Sequence, residues 1–350
     1  MLTCLLATII ACHGQESYKF SPAIPEAKGY STQKLQRLAV HLEMSGSSSM
    51  MVLKDGDVIF EWGETDKKHL IHSMRKAMLN SLYGIAIERG QIDSLATLRD
   101  LGIDDIQPSL TENELNARVA DLLKSRSGVY HDAAAVHGGM LKDRPLRGTY
   151  LAGEHYYYNN WDFNVLGRIL EDATGKSIYE LFETEIAEPL GMLDYKGEYV
   201  SIDVEMDELE MPNTDGYYKY EPSQSKYPAY HFRMSARDLA IYGLLYLNYG
   251  EWNGKQLISK EWIDESTKTH SIYDPRYGSA YGMLWRVRVP KEDTKRNSFY
   301  HTGVGIHMLG IYPDAGIVMV HRVDTEKDYD YNEGDFYKMI GLLFDAKMDD

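Results

Sequence analysis

Beyond residue 12 the chain contains no cysteine; its only two are Cys4 and Cys12. The body of the protein therefore has no disulfide framework, no metal-thiolate site and no cysteine nucleophile. His-Glu-x-x-His, the phosphate-binding glycine loop and the dinucleotide fingerprint are also absent, so nothing signals a metal or organic cofactor. Positive charge is scarce. Against 53 Asp and Glu stand 37 Lys and Arg, for a formal net charge of -16, which argues against nucleic-acid binding. After the N-terminus no stretch is long and apolar enough to span a bilayer. What is present is a chain of 350 residues, 43% of them hydrophobic, with the composition of a soluble globular protein and a length of about two domains.

Leu2 to Ala11 is a short apolar run that ends in Ile9-Ile10-Ala11-Cys12. It resembles a bacterial lipoprotein signal over residues 1–12, in which Cys12 becomes the lipidated first residue and His13 to Ser17 a polar tether. No Lys or Arg precedes the run, where a charged segment is expected. The favoured reading is export to the periplasm or a membrane-anchored lipoprotein in a bacterium. The competing reading is a buried N-terminal helix of a cytoplasmic protein.

Ser31 to Met44 reads as a helix capped by Ser31. Ser49 to Lys54 and Asp57 to Trp62, joined by Asp55-Gly56, read as a β-hairpin. A helix follows Ser73 and closes near Gly90. From Asp93 to about Leu190 the pattern is mainly helical: Thr111-Glu-Asn-Glu resembles a capping box, and 161–173 and 178–187 have helical periodicity. The acidic run from Ser201 to Glu210 reads as a solvated loop. Helices are expected over 235–249 and 259–267. Strands follow over 282–289, 299–302, 308–312 and 317–322, and a last helix covers 335–344. Strands near both ends with helices between them predict an α+β fold with one antiparallel sheet flanked by helices. The expected domain is 22–345. An α/β part takes 22–72 and 230–345, and a mainly helical insertion takes 73–229, with Ser73 at the edge of the cleft between them.

Ser-x-x-Lys occurs at Ser31/Lys34, Ser73/Lys76 and Ser223/Lys226. On a helix this spacing puts both side chains on one face. A serine needs a neighbour to take its proton, and a lysine can do so only when neutral. Ser31 opens a charged amphipathic segment and Ser223 lies in a proline-flanked loop, whereas Ser73 opens a long apolar helix. Tyr156 to Asn160 precedes another apolar helix. A Tyr beside a Lys can act as a second acid/base, and an Asn can orient both and bind a carbonyl. Tyr-x-Asn is ambiguous here, since Tyr157/Asn159, Tyr158/Asn160 and Tyr246/Asn248 all match it. His301-Thr302-Gly303 lies at a strand end, where an exposed histidine in a turn is the plain reading.

In order and spacing, Ser73-x-x-Lys76, Tyr158-x-Asn160 and His301-Thr302-Gly303 resemble the serine β-lactamase/penicillin-binding-protein superfamily. The likeness is greatest to its class C-related branch of β-lactamases, D-Ala-D-Ala carboxypeptidases, family VIII esterases and 6-aminohexanoate-oligomer hydrolases. Asp121-Leu-Leu-Lys-Ser-Arg-Ser-Gly-Val, Tyr158-Asn-Asn-Trp-Asp-Phe-Asn-Val-Leu-Gly, the helix from Met234 and Trp252-Asn-Gly-Lys-Gln-Leu-Ile extend it over roughly residues 30 to 345. The resemblance implies a β-lactamase/transpeptidase-like fold and no metal or other cofactor. It implies that Ser73 is acylated, that Lys76 and Tyr158 share proton transfer, and that Asn160 holds Lys76 and the substrate carbonyl. Substrate would also meet His301, Thr302 and Gly303, and the backbone N–H groups of Ser73 and Val304 would form the oxyanion hole. The expected partner is a small ester or amide. Many relatives have Lys where this chain has His301. A cleft without that cation, bordered by the acidic 203–210 run, would favour small neutral esters unless Arg233 or Arg286 supplies the charge. D-Ala-D-Ala carboxypeptidase, β-lactamase and a non-catalytic ligand-binding relative are the alternatives.

Overall fold

The computed structural model describes residues 17–348 apart from Gln107, so the apolar run and Cys12 lie outside the described residues. Helix α1 is Thr32–Met44, with Ser31 Oγ accepting from the Lys34 N–H at its start. Strands β1 (Ser49–Lys54) and β2 (Asp57–Gly63) form the expected hairpin. Asp55 (φ 50°) and Gly56 (φ 87°) are both left-handed, as a tight two-residue turn between twisted strands requires. Short β3 (His69–Leu70) leads through a 3-10 turn, His72–Met74, into α2 (Arg75–Glu88). Every residue of α2 from Arg75 to Ala86 is buried, which suits a helix apolar on nearly all sides.

Next come α3 (Val119–Leu123), α4 (Gly138–Lys142), α5 (Asn160–Thr174), α6 (Ile178–Phe182) and α7 (Glu188–Leu190). They are followed by β4 (Tyr199–Asp203), β5 (Gly216–Tyr220) and β6 (Ala229–Met234). The stretch from 93 to 159 holds less helix than its pattern suggests. Thr111 and Glu114 do exchange capping-box bonds, but they open only a single 3-10 turn, Glu114–Asn116. Side chains replace the helical ladder there: buried Asp105 accepts from Trp161 Nε1 (2.8 Å), Ser225 Oγ (2.6 Å) and the Lys226 N–H (2.9 Å). The acidic run also differs from a plain loop, because its first residues belong to β4, which pairs in parallel with β5.

The second half supplies α8 (Ala236–Leu247), the small hairpin β7 (Glu251–Trp252) and β8 (Lys255–Gln256), and α9 (Lys260–Ser266). Strands β9 (Ser271–Asp274), β10 (Ser279–Tyr281), β11 (Arg286–Arg288), β12 (Phe299–Thr302), β13 (Met308–Tyr312) and β14 (Ile317–Arg322) precede α10 (Glu333–Asp345). The main sheet runs β2-β1-β14-β13-β12-β11-β10-β9 and is antiparallel throughout. Both chain ends thus build one sheet, joined where Ser49 to Lys54 pair with Arg322 to Ile317. Alternation along β1 sends Met50 and Val52 to a core with α1 and α10, and Met51 and Leu53 to a core with α2 and α8. Helices on both faces explain why β1 reads as an unbroken apolar run. A second sheet, β3-β6-β5-β4, lies beside the helices. Arg322 ties the sheets together, its guanidinium donating to the carbonyls of Met234, His69 and Leu70. That clamp fixes the strand that delivers Ser73. No helix among the described residues is long and apolar enough to cross a membrane.

Candidate active site

The three Ser-x-x-Lys pairs separate at once. Lys34 Nζ bonds the Asp345 carbonyl, and Lys226 Nζ the Asp104 carbonyl. Only Lys76 reaches its own serine, with Nζ 3.0 Å from Ser73 Oγ. Ser73 sits in the turn before α2 and lines a cleft of about 540 Å3 together with Tyr156, Tyr157, Tyr158, Tyr273, Arg286, Thr302, Gly303 and Val304. That volume suits a small-molecule substrate.

Lys76 is 1% exposed, and among the described residues no carboxylate pairs with it. Its Nζ lies 4.8 Å from the ring centre of Tyr158 and 4.7 Å from that of Phe163. Burial, and then the nearby Arg75 and Arg286, hold its pKa well below the usual lysine value, so the neutral amine that a base requires is accessible. Tyr158 moves the other way. Burial raises its pKa, partly offset by Arg286 and by Ser73, so it rests as a phenol. Its hydroxyl lies close to Ser73 without reaching hydrogen-bond geometry, leaving that buried oxygen unpartnered. Of the two groups, burial thus favours the neutral amine at Lys76 and the protonated phenol at Tyr158.

The choice between Tyr157 and Tyr158 is also resolved geometrically. Tyr157 Oη bonds the Met140 carbonyl, and Asn159 caps α5 by accepting from the Trp161 N–H. Tyr158 is the one packed against Lys76. Asn160 begins α5, but its Nδ2 donates to the Ala135 carbonyl (2.6 Å) rather than to Ser73 or Lys76, while its buried Oδ1 has no partner among the described residues.

His301 is fully buried, in contrast to the exposed turn residue suggested by its neighbours. It lies on the inward face of β12, where Nδ1 meets the Thr302 carbonyl at 3.0 Å. Burial, then Arg286 and Lys76, push its pKa well below the normal histidine value, so it remains neutral. Thr302, Gly303 and Val304 line the cleft.

Two premises of the neutral-ester expectation change. The acidic 203–210 run is not among the residues lining the cleft, and the cleft does hold a permanent cation. Arg233 is consumed by a two-bond ion pair with Glu326. Arg286 has no such partner among the described residues. Its Nη1 donates to Tyr273 Oη (2.9 Å), its Nε is buried without a partner, and its Cζ is 5.5 Å from the ring centres of Tyr158 and Tyr273. The sequence signal for it was only an arginine on a β-rich run. One group of metal-ligand types occurs among the described residues, His69, Asp324 and Glu326. Its carboxylates are already paired with Lys67, Lys327 and Arg233, so it reads as an ion-pair knot.

A β-lactamase/transpeptidase-like fold carrying a serine–lysine pair in its cleft is the architecture of the β-lactamase/penicillin-binding-protein superfamily. The family model described as Beta-lactamase matches residues 37–339, and the chain belongs to that family. Among curated proteins it is similar to a Salmonella paratyphi A protein provisionally named D-alanyl-D-alanine carboxypeptidase. The two are 24% identical over 233 residues, or 54% of this chain and 53% of that protein. The chain thus spans about half the length of the curated relatives it matches. Among solved structures it resembles a provisionally named 6-aminohexanoate-dimer hydrolase from Bacillus anthracis (17% identity, TM-score 0.67, 96% and 91% of the two chains). It also resembles the octameric penicillin-binding protein homologue from Pyrococcus abyssi (19%, 0.63, 91% and 77%) and a family VIII carboxylesterase (15%, 0.60, 93% and 99%).

Proposed function

We propose that the protein hydrolyses an ester or amide whose leaving portion carries a carboxylate, as a D-alanyl-D-alanine-type peptide does. The observation behind this reading is Arg286, a cation with no carboxylate partner among the described residues, in the same cleft as Ser73. A guanidinium cannot discharge by deprotonation and offers forked donors that match a carboxylate.

In this reading Ser73 Oγ attacks the carbonyl while its proton passes to Lys76 Nζ. The N–H groups of Ser73 and Val304 receive the oxyanion, and such donors supply several kcal/mol of transition-state stabilisation. Collapse breaks the bond to the leaving group, which takes a proton delivered by way of Tyr158, and leaves an ester on Ser73. Water, deprotonated by Lys76, then attacks that ester, releases the acid and restores Ser73. Buried His301, beside Arg286 and Lys76, stays neutral and adds no charge of its own next to the base. The same reading places the protein outside the cytoplasm, tethered through Cys12.

The test compares a depsipeptide bearing a free C-terminal carboxylate with its methylamide twin, on wild type and on Ser73→Ala. Wild type should prefer the carboxylate form and show an acyl adduct on Ser73 by mass spectrometry, and the variant should do neither. Equal rates for the twins would favour the neutral-ester reading, which the tyrosine-rich walls of the cleft could serve. An adduct on Ser31 or Ser223 would end both.

A further inference from the structure

Two turns must be held in register for the proposed chemistry. One carries Ser73, and the other, from Gly303 to His307, carries Val304. Immediately before Ser73, His72 adopts φ +46°, a left-handed conformation uncommon for a residue with a side chain. Such backbone persists where its surroundings over-determine it, and it clusters at functional sites. The surroundings here are specific. His72 Nε2 and Thr325 Oγ1 are hydrogen bonded at 2.8 Å, and the His72 ring packs on that of His307 with centroids 5.4 Å apart. His307 is fully buried. Its carbonyl accepts the Gly303 N–H (3.1 Å), its Nδ1 accepts the Val323 N–H (3.4 Å), and the Gly303 carbonyl accepts the Ile306 N–H (2.9 Å).

The contact between the turns leaves no slack. A Cβ on Gly303 would lie 2.6 Å from the Ile71 carbonyl oxygen, 2.9 Å from His307 Cδ2 and 3.1 Å from His72 Cβ. A Cβ on Gly305 would meet Thr325 Cγ2. Close-packed groups of this kind transmit a displacement rather than absorb it. Neither His72, His307 nor Thr325 is among the residues lining the cleft, so they act on substrate only through Ser73 and Val304. Both rings are uncharged. Burial, then Arg322 and Lys76, take His72 down to about 4, and burial, then Arg322 and His72, take His307 well below its usual value. Two neutral rings can pack at this close, tilted contact where two imidazolium ions would repel.

We propose that His72 and Thr325, with His307 behind them, are positioning residues that lock the nucleophile turn to the oxyanion turn and thereby set the rate of acylation. This rests on the assignment of Ser73 as nucleophile and Val304 as oxyanion donor. The lock is distinct from the proton-transfer groups. Its loss moves the two donors relative to the attacking oxygen and leaves the binding walls in place. A misplacement near 1 Å at a reacting centre costs on the order of 100-fold in rate.

The experiment uses the full chain and a fluorophosphonate probe. Labelling of wild type at Ser73 comes first, and absence of that adduct overturns the site assignment itself. With the adduct present, labelling rate, kcat, KM and melting temperature are compared for Thr325→Val, Thr325→Ser and His72→Asn. Valine keeps the branched shape and removes the hydroxyl, serine keeps the hydroxyl, and asparagine tolerates the left-handed backbone but cannot span to Thr325. Thr325→Val should slow labelling and kcat by roughly 10- to 100-fold with KM and melting temperature near wild type. Thr325→Ser should recover most of the rate. His72→Asn should be slow alone and add no further loss on top of Thr325→Val, as members of one unit do. Wild-type kcat in Thr325→Val, or a Thr325→Ser variant as slow as the valine one, would overturn the lock. Should the valine variant melt early, the His72→Asn comparison decides the matter by the same criterion.

Discussion

Replacing Arg286 by methionine removes the charge from the cleft and keeps a long flexible apolar side chain against Tyr158 and Tyr273. The loss can be bracketed. A hydrogen bond to a charged group contributes about 1.5–3 kcal/mol, and two unit charges 4 Å apart in a partly screened site interact by at most ~4 kcal/mol. The lower bracket corresponds to roughly 10- to 150-fold in kcat/KM for a carboxylated substrate. One complication is built into the site. Arg286 is also among the groups that depress the Lys76 pKa, so its removal makes the base harder to discharge and slows every substrate. A ratio cancels that effect, because the free-carboxylate depsipeptide and its methylamide twin use the same Ser73 and Lys76. The assay is therefore the kcat/KM ratio of the twins at one pH, for wild type, Arg286→Met and Arg286→Lys. The ratio should fall by the bracketed factor in the methionine variant and stay intermediate with lysine, which keeps the charge and loses the fork. An unchanged ratio in Arg286→Met, with both rates reduced alike, would show that Arg286 acts only on Lys76 and would refute carboxylate recognition.

Arg75, 2% exposed and stacked 4.2 Å over the Tyr230 ring, also depresses Lys76. Arg75→Met should therefore raise the Lys76 pKa and move the acid limb of the kcat/KM–pH profile to higher pH; a limb that stays in place would remove Lys76 as its source. Acid should also weaken the fold. His69 and His72 are held down to about 4 and His321 to about 3, chiefly by burial, so below pH ~6.5 the unfolded chain binds protons that the folded one refuses, and stability falls as pH falls. At pH ~5.5 each of the three contributes a loss of about 1.4 kcal/mol, roughly 4 kcal/mol together, and urea denaturation at pH 7.5 and 5.5 should show it; equal midpoints would mean that the rings are solvated in the native state.

Much of the fold was legible because local signals and tertiary structure agreed. Asp55-Gly56 demanded a left-handed turn, Ser31, Ser235 and Ser259 each announced a helix and cap it, and β12, β13 and β14 fall on runs bounded by Gly, Pro and Asp. The segment between Asp93 and Asn159 was read as too helical for a physical reason. Its apolar residues do face the core, but their backbone is satisfied by side chains far away in sequence, such as Asp105 reaching Trp161 and Ser225. Periodicity reports burial and cannot report which partner closes the hydrogen bond. β9 and β10 were missed because each is three or four residues long and exists only by pairing with its neighbours.

At the site the same division holds. Ser73 and Lys76 lie one helical turn apart, so local geometry alone brings them together, and the structure does so at 3.0 Å while separating the two decoy pairs. The environment of those residues was not legible. His301 looked like an exposed turn residue, because its flanking Thr-Gly suggests a loop; pairing with Leu309 across β12 and β13 turns it inward, where burial strips it of charge. The cleft's permanent cation comes instead from the neighbouring strand, where Arg286 on β11 pairs with Tyr300, the residue before His301 on β12. If Arg286 recognises a carboxylate as proposed, that recognition depends on how β11 is placed beside β12, and on residues far apart in sequence, such as Tyr273 and Tyr158, that surround the guanidinium.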